Sequence, residues 1–378
     1  MNQIQSISNA VKDKVTQHIL RTSNHVISFS EFMNIVLYEP KLGFYSNSLQ
    51  KFGRHGHFVT APTLGKLFAE SLAKQISEIF TFGLQEHNFL EIGAGDGSLA
   101  VNILREIGDQ IDCYYILELN ATLIAHQKTI ILELVPECFN KVQWLSALPE
   151  KFIGVIVANE VLDALPFNRV KIDRCGQDVI GLGVGLSGNA FVEKEFALDQ
   201  ITLSKMQALH LPYSNYVTEV NTLTASFVQS LAGILDEGAV IFIDYGFGQK
   251  EYYAPNKIKG NGRGFFAHQV YTNFFEHLGL MDITTDVNFT DVASSGIKAD
   301  LDLIGYTNQG AFLININPNI NDIAFSGVNV QYAKHLHEVQ TLVSPMGMGA
   351  IFKVIGFSKG LSQDEWVGFK THDLTHQL

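Results

Sequence analysis

Apolar and polar positions follow two different periods along the chain, which together predict a repeating series of strands and helices. Short apolar runs have the length and composition of buried strands, and the segments between them carry apolar residues at helical spacing. This alternation predicts an α/β fold with a doubly wound parallel sheet whose ligand lies at the carboxyl ends of the strands. The strands are predicted at 88–92, 113–119, 141–145 and 154–159, and the helices at 65–80, 98–107 and 123–134.

The segment ahead of this alternation is predicted to be a helical extension with a binding loop. Residues 9–20 have helical spacing, and Ser28 with Glu31 has the spacing of a capping box that starts a second helix, 32–38. Residues 43–62 are aromatic, contain several glycines and are irregular. That composition is more typical of a binding loop than of a linker.

The pattern changes after Pro166, where short strands separated by turn residues predict an antiparallel insertion. An apolar run at 238–246 then continues the central sheet, and strand and helix alternate again. The insertion strands are predicted at 169–172, 179–186 and 190–195, later helices at 221–235 and 271–278, and later strands near 282–289 and 350–357. The predicted domains are an N-terminal helical extension with an active-site loop (1–84), the first part of the ligand-binding domain (85–166), an α+β insertion that could bind a substrate or partner (167–235), and the remainder of that domain (236–370).

Composition narrows the class of protein. The 378 residues are 46% hydrophobic and carry a formal net charge of -12, which argues against broad nucleic-acid binding because phosphates require a clustered basic surface. No window approaches the ~18 apolar residues of a membrane span, so we expect no membrane span. Three scattered cysteines fit a reducing compartment, and an N-terminus without an apolar signal core favours a cytoplasmic location (mitochondrial in a eukaryote). The histidine pairs 55/57 and 335/337 lack a third ligand nearby, so we expect no metal site.

The most informative feature is a glycine-rich turn between a predicted strand and a predicted helix. The strand 88–92 contains Glu91 and is followed by Gly93, Gly95 and Gly97. Glycines remove the Cβ atoms that would keep a ligand from the backbone, and the helix start behind them presents free N–H groups. This pattern favours a nucleotide-type ligand, although a glycine-rich turn without any ligand remains an alternative.

The identity of that ligand is narrowed by what the turn lacks. The position that holds the third glycine of a dinucleotide-binding turn is Ser98, and the turn contains no Lys for a phosphate loop. The next strand ends at Glu118, a carboxylate suited to accept hydrogen bonds from ribose hydroxyls. An acidic lining without a pyrophosphate-binding motif suits a cationic, ribose-bearing ligand, and S-adenosylmethionine fits that description.

A second segment, GVIVANEVLDALPFNRV, places polar residues after a buried strand. Asn159 and Glu160 come at its carboxyl end, and Asp163 follows within one helical turn. Two carboxylates and an amide would face the ligand cleft. The alternative is that Asn159 or Glu160 caps a helix while Asp163 complements its dipole.

Several motifs together closely resemble the MidA family of class I methyltransferases, which includes a mitochondrial protein arginine methyltransferase that assists complex I assembly. The resemblance runs from about Phe29 to Lys359, nearly the whole chain. The motifs are FMNIVLYEPKLGFY, GRHGHFVTAP, LEIGAGDGSLA, YYILELNATLIAHQ, ANEVLDALPFNRV, IDYGFG and SPMGMGAIFKVIGFSKG.

The resemblance implies a Rossmann-like class I methyltransferase domain that binds S-adenosylmethionine and methylates an arginine of a protein partner. The oligomeric state stays open, with a homodimer as one candidate. The resemblance also implies roles for individual positions. The cofactor would contact Glu91, Gly93, Gly95 and Gly97 at its methionine end, Glu118 and Leu119 at the ribose, Gln143, Trp144 and Leu145 at the adenine, with Thr60, Ala61 and Pro62 in a loop over the site. Asn159, Glu160 and Asp163 would lie between cofactor and substrate as the catalytic residues, and Trp144 could equally be core packing.

The chain departs from the family pattern at four positions outside the glycine turn. His57 and Thr63 stand where the early loop motif has carboxylates, and Asp286 and Asn288 stand where a late motif has histidine and aspartate. These changes bear on substrate and activity rather than on cofactor binding. The function predicted is therefore methylation of an arginine in a respiratory or other protein partner. The two rivals are a small-molecule methyltransferase and a cofactor-binding assembly factor without turnover.

Overall fold

The computed structural model describes residues 3–49, 61–173, 178–320, 330–363 and 365–378. The helices are α1 (Gln3–Arg21), α2 (Phe29–Tyr38), α3 (Ala61–Leu64), α4 (Leu67–Phe80), α5 (Ser98–Ile107), α6 (Ala121–Leu134), α7 (Gln200–Leu209), α8 (Leu223–Ile234), α9 (Gln249–Tyr252), α10 (Phe289–Lys298), α11 (Gln309–Ile316), α12 (Val330–Val343) and α13 (Met348–Ile351). The strands are β1 (Val26–Ile27), β2 (Asn88–Ile92), β3 (Tyr114–Leu117), β4 (Val142–Leu145), β5 (Phe152–Asn159), β6 (Asn168–Ile172), β7 (Val179–Ser187), β8 (Ala190–Phe196), β9 (Tyr216–Val220), β10 (Leu235–Phe247), β11 (Arg263–Phe266), β12 (Gln269–Tyr271), β13 (Asp282–Thr284), β14 (Val287–Asn288), β15 (Asp302–Asn308) and β16 (Phe352–Lys359). Short 3₁₀ helices lie at Pro136–Lys141, Val367–Phe369 and Thr375–Gln377.

The described residues form two compact units. The first takes its residues from 1–51, 163–226 and 250–286, and the second from 52–162, 227–249 and 287–378. The domain boundaries derived from the sequence stay a prediction.

The second unit is built on an eight-stranded sheet of order β15-β16-β10-β5-β2-β3-β4, with β14 beside β10. Strands β10, β5, β2, β3 and β4 are parallel, whereas β15 and β16 run antiparallel to their neighbours. Helix α5 connects β2 to β3 and helix α6 connects β3 to β4, which confirms the predicted doubly wound, Rossmann-like α/β fold. Within this sheet β2 comes first in the chain and lies between β3 and β5. The chain therefore continues to one side of β2 through β3 and β4, and later to the other side through β5 and β10. Ligands bind at such a switch point, outside the carboxyl ends of the strands.

The core of this unit explains why its central strands are continuous apolar runs. Val155, Ile156 and Val157 of β5 are all fully buried. A strand covered on both faces by helices has no solvent-facing positions, so polar residues do not alternate with apolar ones. Each such side chain contributes about 1.5–3 kcal/mol by leaving water.

The first unit contains an antiparallel sheet of order β1-β7-β6-β9, and β8 also pairs with β7. The strands predicted for the insertion therefore form as β6, β7 and β8. The sheet is larger than the sequence indicated, because β9 pairs with β6 and β1 pairs with β7 through Val26 and Gly185. A second sheet of this unit has the order β12-β11-β13.

The N-terminal helices and the capping box are confirmed. In α2 the Ser28 side chain accepts a hydrogen bond from the Glu31 backbone, and the Glu31 carboxylate accepts one from the Ser28 backbone. The helix begins at Phe29, earlier than the predicted start at 32, because the capping residue directly precedes it.

Two later predictions are wrong. Residues 272–278, all of which the structure describes, form turns instead of the predicted helix. There the Asn273 side chain accepts the Phe275 backbone N–H at 3.2 Å, and His277 has a φ of 46°, which a helix does not allow. The predicted strand at 282–289 is divided into β13 and β14, and its last residue, Phe289, begins α10.

Candidate active site

The glycine-rich turn lies between β2 and α5 at the switch point of the sheet. Gly93, Gly95 and Gly97 have φ values of 70°, 55° and 83°, a region that residues with a Cβ rarely adopt. The Gly93 N–H donates to the carbonyl of Leu117 at 3.0 Å, which ties the turn to the end of β3. The backbone path of the turn therefore requires glycine at these positions.

Two of the glycines differ in what a side chain would meet. A Cβ on Gly97 would lie 2.9 Å from Ile130 Cδ1 and 3.2 Å from Gln127 Cγ, closer than ordinary packing allows. A Cβ on Gly93 would meet only Val161 Cγ2, at 3.6 Å. Gly97 is thus required for packing of the turn on α6. Gly93, which is exposed, leaves open the surface over the turn.

Glu91 lies in β2 immediately before the turn and is 3% exposed. The Tyr114 hydroxyl donates a hydrogen bond to its Oε2 at 2.7 Å. Burial raises the pKa of Glu91 to about 7, although the Tyr114 hydrogen bond lowers it, and the charges of Asp96 and Glu118 add to the rise. A carboxyl group with such a pKa gains its negative charge readily when a cation approaches near neutral pH.

The ends of β3 and β4 carry the residues predicted to contact ribose and adenine. Glu118 is half-buried, and its Oε1 accepts the backbone N–H of Asn120, the N-cap of α6, at 2.8 Å. Leu119 is 77% exposed and Gln143 is exposed. Trp144 is half-buried, and its indole N–H donates to Gln127 Oε1 at 2.9 Å. Trp144 therefore fits both of its predicted roles, core packing and contact with the adenine, since it packs on the core and also borders the strand ends.

The end of β5 places Asn159 and Glu160 beside β2 on the opposite side from β3. Asn159 follows the rung that pairs Ile92 with Ala158. Its Oδ1 is buried, and no donor in the described part of the chain reaches it. Glu160 has a φ of 53°, and its N–H donates to the carbonyl of Ile243 at 2.9 Å. A buried acceptor in this position suits a ligand that donates hydrogen bonds.

The end of β10 supports the segment that follows Glu160. Asp244 is 1% exposed, and its two carboxylate oxygens accept the N–H groups of Leu162 at 3.0 Å and Tyr245 at 2.9 Å. Asp244 therefore holds the backbone just after β5, and the helix predicted as the alternative for this segment does not form: residues 160–166 are turns and irregular backbone.

Asp163 belongs to the first unit, where a second buried carboxylate accompanies it. Asp163 and Asp282 are each 5% exposed. The Tyr45 hydroxyl donates to Asp282 Oδ1 at 2.8 Å, and the Tyr38 hydroxyl donates to the Ala164 carbonyl at 2.9 Å. The two tyrosine rings stack with centroids 5.4 Å apart.

Burial, together with the nearby charge of Asp163, raises the pKa of Asp282 to about 8. Burial and the same two carboxylates raise the pKa of Tyr38 and of Tyr45. Sequence reasoning did not identify Asp282, because its position in a β-strand gives no signal that Asp163, more than a hundred residues away in the chain, lies near it.

The remaining predicted positions fall into two groups. Thr60 and His57 lie outside the described residues, whereas Pro62 is buried in α3 next to Thr63. Two departures from the family pattern have structural partners: Asp286 pairs with Arg263 and, at 3.3 Å, with Lys257, and Asn288 caps α10 by accepting the Thr290 N–H at 3.2 Å. Among the described residues there is no cluster of three or more His, Cys, Asp or Glu side chains suited to a metal ion. Within the same residues, no helix is both long and apolar enough to cross a membrane.

The described residues fit a cationic, ribose-bearing cofactor in the second unit. The glycine turn provides a surface without Cβ atoms, Glu91 and Asn159 provide acceptors for donor groups, and Glu118 provides a carboxylate at the end of β3. The turn is therefore compatible with S-adenosylmethionine in the way that the sequence predicted.

Comparisons with known proteins agree with this chemistry. Residues 67–307 match a family described as "Putative S-adenosyl-L-methionine-dependent methyltransferase". Two solved structures from Burkholderia thailandensis are each 33% identical, cover 100% of this chain and 99% of their own, and superpose with TM-scores of 0.92 and 0.89. The first is described as a "likely methyl transferase" bound to S-adenosyl-homocysteine.

Curated relatives are more distant in sequence. The mitochondrial protein arginine methyltransferase NDUFAF7 of Xenopus tropicalis is 25% identical, over 86% of this chain and 81% of the relative. Its Drosophila melanogaster homologue is 27% identical, over 76% of this chain and 70% of the relative.

Proposed function

Because the chain belongs to this family of S-adenosyl-L-methionine-dependent methyltransferases, we propose that it methylates an arginine side chain of a protein partner. The methyltransferase activity and the cofactor follow from the family and from the related structure bound to S-adenosyl-homocysteine. The names of the curated relatives support arginine as the acceptor. The structural observation that carries the choice of arginine is the buried carboxylate pair Asp163 and Asp282.

The cofactor supplies an activated methyl group when bound, and the residues of the second unit hold it. In our proposal, backbone N–H groups at the start of α5 bind its carboxylate, and Glu118 accepts hydrogen bonds from the ribose hydroxyls. Glu91 and Asn159 Oδ1 accept hydrogen bonds from the ammonium group of the cofactor, which gives the buried Asn159 oxygen a partner. These assignments use only groups that already lie at the ends of β2, β3 and β5.

An arginine acceptor demands carboxylates, because a guanidinium stays protonated (pKa above ~12) and is a poor nucleophile until it loses charge. We assign Asp163 of the first unit to bind the guanidinium and orient the attacking nitrogen, and the role of Glu160 stays the one predicted from its place in the sequence. A guanidinium held by Asp163 would favour the ionised form of Asp282. That carboxylate can then take up the released proton, because its pKa of about 8 makes it a comparatively strong base. A small neutral acceptor would need no second buried carboxylate.

Substitution of Asp163 tests this assignment. We expect Asp163→Asn to bind S-adenosyl-homocysteine with the wild-type dissociation constant, measured by calorimetry, and to lose at least about tenfold in the rate of protein methylation. The rate is measured with methyl-labelled S-adenosylmethionine and a proteome of the source organism. Asp178→Asn, at an exposed position of the same unit, is the matched control and should leave both quantities unchanged. Normal turnover by Asp163→Asn would refute the catalytic role of Asp163.

A further inference from the structure

A buried glutamine connects two parts of the cofactor site that are distant in sequence. Gln127 lies on α6 and is fully buried, whereas most of that helix is exposed or half-buried. Its Nε2 donates to the carbonyl of Gly95 at 2.8 Å, and its Oε1 accepts the indole N–H of Trp144 at 2.9 Å. The side-chain amide therefore joins the middle of the glycine turn to the strand β4.

The orientation of this amide is fixed by its two partners. A backbone carbonyl only accepts and an indole N–H only donates, so one end of the side chain must be NH₂ and the other must be oxygen. No apolar side chain satisfies both groups, and a carboxylate would place a second acceptor against the Gly95 carbonyl. Glutamine is thus matched to both neighbours at once.

The same side chain also packs against the turn. A Cβ on Gly97 would lie 3.2 Å from Gln127 Cγ, so Gln127 contacts the turn beside two of its glycines. On the other side, the Trp144 ring has Lys128 Nζ 5.0 Å from its centroid and Phe139 at a ring distance of 6.1 Å. Both ends of the connection are therefore held by further contacts, and a change at Gln127 would reach the turn and Trp144 together.

We infer that Gln127 is a positioning residue of the cofactor site: its amide fixes the glycine turn and Trp144 relative to each other, and cofactor affinity depends on that connection. Gln127 touches no reacting atom in this role and acts through the Gly95 carbonyl and the Trp144 indole. The inference rests on the proposed position of the cofactor at the ends of β2, β3 and β4. A consequence is that the emission of Trp144, one of two tryptophans in the chain, reports on cofactor binding.

Two variants and a control test this role by calorimetric titration with S-adenosyl-homocysteine. Gln127→Leu removes both hydrogen bonds, and Gln127→Glu keeps the shape but loses the NH₂ donor. We expect each to raise the dissociation constant about tenfold. Glu133→Gln, which changes one charge at an exposed position of the same helix, should bind within twofold of wild type.

The pH dependence of Gln127→Glu separates positioning from loss of structure. A protonated glutamic acid has one O–H donor and one carbonyl acceptor, so it can reproduce both contacts of the amide. We therefore expect the affinity ratio between wild type and Gln127→Glu to shrink as pH falls from 8 to 5.5. A variant whose effect came from general loosening of α6 would keep a constant ratio.

A double-mutant cycle with Trp144→Phe tests the connection itself. Trp144→Phe removes the indole N–H, and we expect Gln127→Leu to add little further loss of affinity in that background. The fluorescence emission is recorded during titration with S-adenosyl-homocysteine. A change that occurs in the wild type but not in Trp144→Phe is assigned to Trp144. The inference is overturned if folded Gln127→Leu and Gln127→Glu both bind within twofold of wild type, or if the two losses are fully additive. A wild-type protein that does not bind S-adenosyl-homocysteine would instead refute the proposed cofactor position, and with it this inference.

Discussion

Alanine at Gly97 should cost more stability than alanine at Gly93, whereas alanine at Gly93 should cost more cofactor affinity. Both positions have left-handed backbone, with φ of 83° and 70°, so a Cβ costs about 1–2 kcal/mol in each case. At Gly97 the added atom also lies 2.9 Å from Ile130 Cδ1, the end of a half-buried side chain that can shift, so overpacking costs only about a further 1 kcal/mol. At Gly93 the nearest atom is 3.6 Å away, which is ordinary contact. Gly97→Ala should therefore lose about 2–3 kcal/mol and Gly93→Ala about 1–2 kcal/mol of unfolding free energy.

The assay is urea unfolding followed by circular dichroism, together with calorimetric titration of each variant with S-adenosyl-homocysteine. A loss of about 2–3 kcal/mol is a sizeable part of the roughly 5–15 kcal/mol that stabilises a typical protein, so it is measurable. In binding the order reverses: the Gly93 Cβ enters the surface proposed for the cofactor, and Gly93→Ala should bind more weakly than its small loss of stability suggests. Equal destabilisation by the two variants would refute the packing argument for Gly97. Unchanged affinity of Gly93→Ala would refute the position proposed for the cofactor.

Three further predictions concern acidic residues. Glu118→Ala should weaken binding of S-adenosyl-homocysteine about tenfold in calorimetry, because the ribose hydroxyls lose a charged acceptor. The melting temperature without ligand should also fall, because the N–H of Asn120 loses its acceptor. The affinity of the wild type for S-adenosylmethionine should rise with pH between about 5.5 and 7.5, because this cationic ligand favours ionised Glu91, whose pKa is about 7. Glu91→Gln should flatten that pH dependence. A wild-type affinity that does not change with pH would contradict the prediction. The pKa of Asp282 is raised to about 8 in the folded protein, so its contribution to stability is full below its pKa in the unfolded chain and is lost as pH rises through 8. The unfolding free energy of Asp282→Asn should therefore fall less steeply between pH 5 and 8 than that of the wild type.

The parallel half of the fold was predictable because its signals are local. The bounds of β2 and α5 agree with the apolar run at 88–92 and the helical spacing at 98–107. Buried parallel strands are continuous apolar runs, and amphipathic helices repeat every three to four residues, so each element can be recognised without its partners.

The parts that were missed depend on long-range contacts. Nothing near Val26 in the sequence indicates that it pairs with Gly185, and the aromatic segment 271–278 has helical spacing although its phenylalanines pack on other aromatic rings, such as Phe274 on Phe29 at 5.0 Å. Tertiary packing of this kind overrides local propensity.

The candidate site shows the same division. The glycine turn, Glu118 and the end of β5 could be predicted because each is a motif at a strand end. Asp282 and Gln127 could not, because an aspartate in a short strand and a glutamine in a helix are ordinary residues until the fold brings them to Asp163 and Gly95.

Methylation of a protein arginine with S-adenosylmethionine is the activity proposed for this chain. The most direct test incubates the wild-type protein with methyl-labelled S-adenosylmethionine and the proteome of its source organism, and locates the label by mass spectrometry. We expect label on arginine side chains of one or a few proteins, and no such label when Asp163→Asn replaces the wild type. Label found in a metabolite, or tight binding of the cofactor with no labelled product, would contradict it.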